Sequence, residues 1–456
     1  MQLKWLIAGG TSLLVMVTAA LLVLMPPELI RVGANYTAKI VCSNVFLAHR
    51  DAQEVLKLDV QAPGHPLLRL MRVDVDREAK VVRAGLFGFI GKGLAVYRPG
   101  TGCATVPDGD LTQAATHQFT QAMALAATPK PTWPEGAEAL PNSIVQSLIA
   151  KEELAGQGMR GIAVIYQGNL IAERYADGFS RDTPLLGWSM TKSITAALIG
   201  MQVKDKKLKL DQTGWWPTAT PPDGREKIAV ADLMAMSSGL RFNEGYGDVS
   251  DVTRMLYLEP DMAAYVRAQP LEHPVGTAWN YSSGTTVFLS NLWQKIVGDD
   301  SLSFPLRRLF APLGMHSAVI EADARGNLVG SSYMYATAQD WARFGQFLAQ
   351  DGVWQGQRLL PEGFVAMMSS LAPASKGAYG QGQVWRWGPS GDSPEDKSPD
   401  TAFKLPPDTF WMLGHDGQSV AIVPSKQLVI VRLGLTPFKL HYKPQAMLAE
   451  VIKALD

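Results

Sequence analysis

The chain of 456 residues reads as an α+β fold, an antiparallel sheet sandwiched by helices with a helical subdomain inserted. Three observations predict this. Gly161–Tyr166 and Leu170–Tyr175 are strand-like runs flanking Gln167-Gly168-Asn169, the signature of a hairpin. Strand patterns return at Ser419–Val423 and Leu428–Leu433, around a turn at Pro424-Ser425-Lys426. Between them, residues 204–350 are mostly helical in pattern, so the sheet is assembled from both ends of one domain.

The elements follow in order. Trp5–Met25 is an uncharged apolar stretch between Lys4 and Pro26-Pro27, and about 20 such residues span a bilayer. Val17–Ala20 would suit a cleaved signal, but the apolar run continues through Leu21–Met25. Residues 1–27 are therefore expected to be a membrane anchor, with the bulk of the chain in the bacterial periplasm, or exported if the segment is cleaved. Residues 28–127 read as a small α+β domain. Strand-like patterns fill residues 56–98, with alternation at Arg72–Asp76, and a helix pattern covers Leu111–Ala127. Asp74 and Asp76 are explained by that alternation, so no metal is expected there. Cys42 and Cys103, the two cysteines of the chain, suit a disulfide in an oxidising compartment. Pro129, Pro131 and Pro134 mark a linker over residues 128–141. Asn142 is placed to cap a helix reaching about Ala155, opening a domain over residues 142–456 that closes with a helix at Pro444–Leu455.

Composition narrows the function classes. Lysine plus arginine and aspartate plus glutamate both number 42, so nothing calls for nucleic acid or a polyanion. The seven histidines do not cluster at zinc spacing, there is no Gly-x-Ser-x-Gly elbow and no phosphate-binding glycine loop, and no cofactor is expected.

Chemistry gathers in three short motifs. In Gly187-Trp188-Ser189-Met190-Thr191-Lys192, Ser189 and Lys192 lie one helical turn apart at the start of an apolar helix whose buried face would be Ile194, Ala197, Leu198 and Met201. A serine hydroxyl needs a base, and a desolvated lysine serves as one. Alone, the pair is equally a capping serine followed by a surface lysine. Trp279-Asn280-Tyr281-Ser282-Ser283 offers Tyr281, whose pKa a neighbouring ammonium would lower, before a helix starting at Ser283. Gly414-His415-Asp416-Gly417-Gln418 precedes a strand, where backbone approaches substrate closely and offers an N–H to an oxyanion.

In this order the motifs make residues 142–456 resemble the penicillin-recognising serine hydrolases. Val230–Leu240, Pro312–Met315 and Ala336–Phe344 are also family-like. The chain looks most similar to class C β-lactamases, family VIII esterases and above all 6-aminohexanoate-dimer hydrolases, the last supported by Leu405–Trp411. The resemblance implies a serine amidase or esterase acting on a small-molecule amide or ester, with Ser189 acylated and Lys192 and Tyr281 sharing proton transfer. It implies an oxyanion hole from the N–H groups of Ser189 and Gln418, and substrate contacts from His415, Gly417, Ser283 and Tyr246. Ser283 and His415 stand where many β-lactamases carry asparagine and lysine, which weakens the case for β-lactams. Two other readings share the fold: a cell-wall carboxypeptidase or β-lactamase, and a non-catalytic ligand or peptidoglycan sensor. Asn243–Asp248 and the long stretch Leu371–Pro407 are candidate walls of the site.

Overall fold

The computed structural model describes residues 20–62, 64–120, 132–217, 222–390 and 397–456. Most of the expected anchor, residues 1–19, lies outside these, as do parts of the expected helix over 111–127 and of the linker. Among the described residues no helix is long and apolar enough to cross a membrane.

The N-terminal region is organised by a helix that the strand patterns gave no reason to expect, α1 (Glu28–Phe46). It packs on the meander β1 (Met71–Asp76), β2 (Val81–Leu86), β3 (Ile90–Arg98) and β4 (Gly102–Thr105), whose order is that of the sequence. The strands start later than their patterns suggest. Leu56–Gln61 is π-helical, continuing a helix that Asp51 starts by capping the N–H groups of Gln53 and Glu54, and Pro66–Leu70 is a separate 3-10 turn capped by His65. Cys42 of α1 is bonded to Cys103 of β4, Cα to Cα 6.1 Å, and closes the layer.

This layer is packed into the rest of the molecule. α1 also packs against the helix Asp251–Leu258, and its buried face is unusually polar: Asn35, Thr37, Lys39, Ser43 and Asn44 are all enclosed. Glu321, wholly buried, explains much of this. It pairs with Lys39 and accepts from Ser43 Oγ (2.8 Å) and Cys103 N (2.7 Å). Asp59 receives both arms of Arg50 at 2.9 Å and Arg160 at 2.5 Å, tying the π-helical segment to the central sheet.

That sheet is antiparallel, in the order β7 (Phe410–Gly414), β8 (Gln418–Val423), β9 (Leu428–Gly434), β5 (Met159–Tyr166), β6 (Asn169–Tyr175). Both ends of the domain meet where β9 pairs with β5, Ile430 opposite Val164. The inner strands β5, β8 and β9 are largely apolar because both faces are covered, whereas the edge strand β6 carries Asn169, Glu173 and Arg174. Ile162, Val164, Leu428 and Ile430 pack under α2 (Ser143–Ile149) and the C-terminal helix Pro444–Leu455. The alternate residues Ala163, Ile165, Val429 and Val431 join the main core. α2 is shorter than expected: Asn142 Oδ1 caps Ile144 N and Val145 N, but the helix breaks at Ala150 and resumes at Glu152.

In the main core lie α3 (Thr191–Lys204), α4 (Ser283–Val297) and α5 (Ala338–Ala349). α3 is more enclosed than an amphipathic reading implies, since every residue from Thr191 to Gln202 is buried. The long stretch after Leu371 is also fixed. Gln383 accepts from Thr286 Oγ1 (2.6 Å) and donates to Met234 O (2.7 Å), and Trp385 pairs with Trp411 on the outer edge of β7.

Candidate active site

Ser189 sits in a 3-10 turn, Trp188–Met190, that runs straight into α3. The turn is strained: Trp188 has φ +48°, a left-handed conformation for a bulky residue. Two glycines allow the crowding around it. A Cβ on Gly187 would lie 2.1 Å from the Trp341 ring, and one on Gly414 would lie 2.3 Å from the Gly187 carbonyl. The end of β7 therefore presses on the backbone beside Ser189, and Gln418, paired with Gly414, begins β8 there.

Lys192, one turn further on, is wholly buried. Its Nζ lies 3.1 Å from Ser189 Oγ, 2.9 Å from Ser283 Oγ and 3.1 Å from the Ser331 carbonyl. Burial lowers its pKa to about 8, while the Glu244 carboxylate pulls the other way. The amine is thus held close to Ser189 by three oxygens in a site that disfavours its charge.

Tyr281 precedes α4, whose N-cap is Ser282 (Oγ accepting from Thr285 N at 3.0 Å). Ser189 and Trp385 are close enough to the Tyr281 hydroxyl to favour the phenolate slightly. The expected fall in its pKa is reversed. Burial and Glu244 raise it, and Lys192 Nζ lies over the ring face, 4.7 Å from its centroid. Tyr281 is therefore a neutral phenol at physiological pH. Trp279, Tyr379 and Trp385 surround it, with the Trp385 ring centroid 5.2 Å away, so the loop after Leu371 does wall this side of the site.

Glu244 is the residue that the motifs missed. It is half-buried, and its carboxylate accepts from Ser283 Oγ and from Ser283 N (2.8 Å), the first N–H of α4, where the helix dipole favours an anion. Asn280 Nδ2 donates to Phe242 O at 3.0 Å and holds this segment against Tyr281. Ser283 therefore links Lys192 to Glu244, enclosed between them. The signal was present in Asn243–Asp248, whose glycines and charges read equally as a surface loop.

The remaining motif residues divide. Tyr246 and His415 lie against each other with ring centroids 4.9 Å apart and planes tilted by 31°, and His415 packs edge-on to Trp188 at 5.6 Å. The Gln418 side chain is occupied by structure: it donates to Gly434 O and accepts from Gly434 N (2.8 Å), leaving its backbone as the part near Ser189. Gly417 lies on the far side of the turn, its carbonyl held by Arg432 Nη1 at 3.1 Å. Among the described residues no three His, Cys, Asp or Glu side chains are grouped to hold a metal ion.

A three-layered helix–sheet–helix sandwich with a buried lysine between a serine and a tyrosine defines the class to which this chain compares. Residues 147–437 match the Beta-lactamase family model, and the chain belongs to that family. It is 24% identical over 326 residues to the 6-aminohexanoate-dimer hydrolase of Paenarthrobacter ureafaciens, covering 64% of this chain and 78% of that protein. A Bacillus anthracis structure named as a candidate 6-aminohexanoate-dimer hydrolase superposes with a TM-score of 0.55 at 21% identity, over 67% of this chain and 82% of that one. A penicillin-binding protein from Bacillus halodurans gives 0.51 at 16% identity, over 68% of this chain and 100% of that one. The family match begins after α1 and its sheet.

Proposed function

We propose that the protein is a serine hydrolase that cleaves an amide or ester through an acyl-enzyme on Ser189. The observation that carries this reading is the buried Lys192 amine 3.1 Å from Ser189 Oγ, with its pKa brought down to about 8. Neutral Lys192 takes the Ser189 proton as Oγ attacks the carbonyl carbon. The N–H groups of Ser189 and Gln418 are the donors for the developing oxyanion, a reading supported by the close approach of Gly414, the β-partner of Gln418, to the Gly187 carbonyl. Tyr281, a neutral phenol whose ring lies 4.7 Å from Lys192 Nζ, passes a proton from Lys192 to the departing nitrogen or oxygen. Water then attacks the ester on Ser189 by the reverse proton route. His415 in place of a lysine supports esters or linear amides over β-lactams, as does the likeness to a 6-aminohexanoate-dimer hydrolase. The enclosed Cys42–Cys103 bond supports an oxidising compartment outside the cytoplasm.

The test is covalent labelling. A fluorophosphonate adduct mapped to Ser189, absent in Ser189→Ala, is expected, and fluorescent penicillin is expected to label poorly. A folded protein that is not labelled at Ser189, and whose ester turnover survives Ser189→Ala, refutes the mechanism.

A further inference from the structure

Beside the nucleophile turn is a cavity of about 330 Å³ that the family region builds only in part. One wall is Trp188, Tyr246 and His415. The other comes from the N-terminal layer: Leu29 and Val32 on α1, with Leu68 from the 3-10 segment behind them. α1 reaches this position because Glu321 and Asp59 anchor its layer to the body, so the wall is a fixed part of the fold.

We propose that this cavity is the subsite for an aliphatic acyl chain, and that the N-terminal layer sets the chain length the enzyme accepts. The inference rests on Ser189 being the acylated residue. Three observations carry it. The walls are mostly aliphatic and aromatic, and among the described lining residues there is no lysine or arginine to meet a substrate carboxylate. The volume sits at the low end of ligand pockets, roughly 300–1,000 Å³, and suits a medium chain better than a large ring system. Trp188, bonded directly to Ser189, lines the cavity, whereas Ser189 itself, Lys192 and Tyr281 do not, so the cavity opens one residue from the nucleophile. The leaving group must reach Lys192 and Tyr281 to be protonated, so the part of the substrate that stays on Ser189 is the part that enters the cavity.

The experiment uses the full chain and p-nitrophenyl esters from acetate to decanoate. In the unaltered enzyme kcat/KM rises with acyl length, by up to about fourfold per methylene, until the cavity is full. Leu29→Trp, which fills the cavity, lowers the octanoate-to-acetate ratio of kcat/KM at least tenfold. Val32→Ala, which enlarges it, moves the optimum to a longer chain. Opposite shifts from the two variants separate a size filter from simple loss of folding. A flat profile with turnover that still depends on Ser189 overturns the subsite, as does a dependence on alcohol length in its place. If no ester is turned over through Ser189, the catalytic reading fails separately. The cavity is then judged by calorimetry of octanamide on Ser189→Ala, whose Kd rises at least tenfold with Leu29→Trp added; equal or absent binding in the two proteins overturns it.

Discussion

Replacing Glu244 by glutamine tests how the site tunes its base. Glu244 and Lys192 are joined through Ser283, which contacts Lys192 Nζ at 2.9 Å and hydrogen-bonds the carboxylate. Two hydrogen bonds in series put the charges roughly 5 Å apart, an attraction of about 3 kcal/mol at an effective dielectric near 20. Glu244 is half-buried, and solvent screening reduces that to roughly 1 kcal/mol. The carboxylate favours the ammonium, so removing it favours the free amine and lowers the Lys192 pKa further. In the proposed mechanism only the free amine accepts the Ser189 proton, so kcat/KM rises with pH through the Lys192 pKa and levels above it. In the unaltered protein the midpoint is expected at about 8. In Glu244→Gln it moves down by something under one pH unit, at about 1.4 kcal/mol per unit. The assay is kcat/KM for a short ester between pH 5.5 and 9.5, with both proteins checked for folding by circular dichroism. A midpoint that stays in place or moves up refutes the argument. It would mean either that Glu244 is protonated in the free enzyme or that Lys192 is not the titrating base.

Other outcomes follow from the same contacts. Tyr281→Phe lowers kcat, without moving that pH midpoint, because in the proposed mechanism the neutral phenol relays a proton and is not the titrating base; a displaced midpoint would assign the titration to Tyr281. Lys192→Met abolishes turnover yet raises Tm at pH 7. The buried amine has a folded pKa of about 8 against an unfolded value of 10.5, so it opposes folding below that window and is relieved as pH rises. A Tm gain that is largest at pH 7 and shrinks toward pH 10 is the signature. Glu321→Ala leaves Lys39 buried without its partner and costs about 3–5 kcal/mol in urea unfolding, much of it recovered by pairing it with Lys39→Met. Reducing Cys42–Cys103, which closes a loop of 61 residues, costs about 4 kcal/mol on the chain-entropy model, read as a lower urea midpoint.

The sequence by itself determined the sandwich and the identity of its chemical groups. Strands buried on both faces, a capping asparagine and a proline-initiated last helix are local patterns, and β5, β6, β8, β9 and Pro444–Leu455 fell close to where those patterns put them. Ser189, Lys192 and Tyr281 were legible because each sits at the head of an apolar helix, where spacing fixes direction. Their electrostatics were not legible. The Tyr281 phenol is pushed up because burial outweighs its proximity to Lys192, and burial is a sum over segments remote in sequence. Glu244 was hidden for the same reason: only the fold carries it to the first N–H of α4. α1 was missed because its polar residues break the apolar period; Lys39 and Ser43 are met by Glu321, 282 residues beyond Lys39, while Asn35 and Asn44 take Leu94 N and Arg50 as donors. A chain encodes its strands and turns over a few residues. Which charges meet, and whether α1 closes a cavity beside Ser189, is decided only when distant segments pack and exclude water.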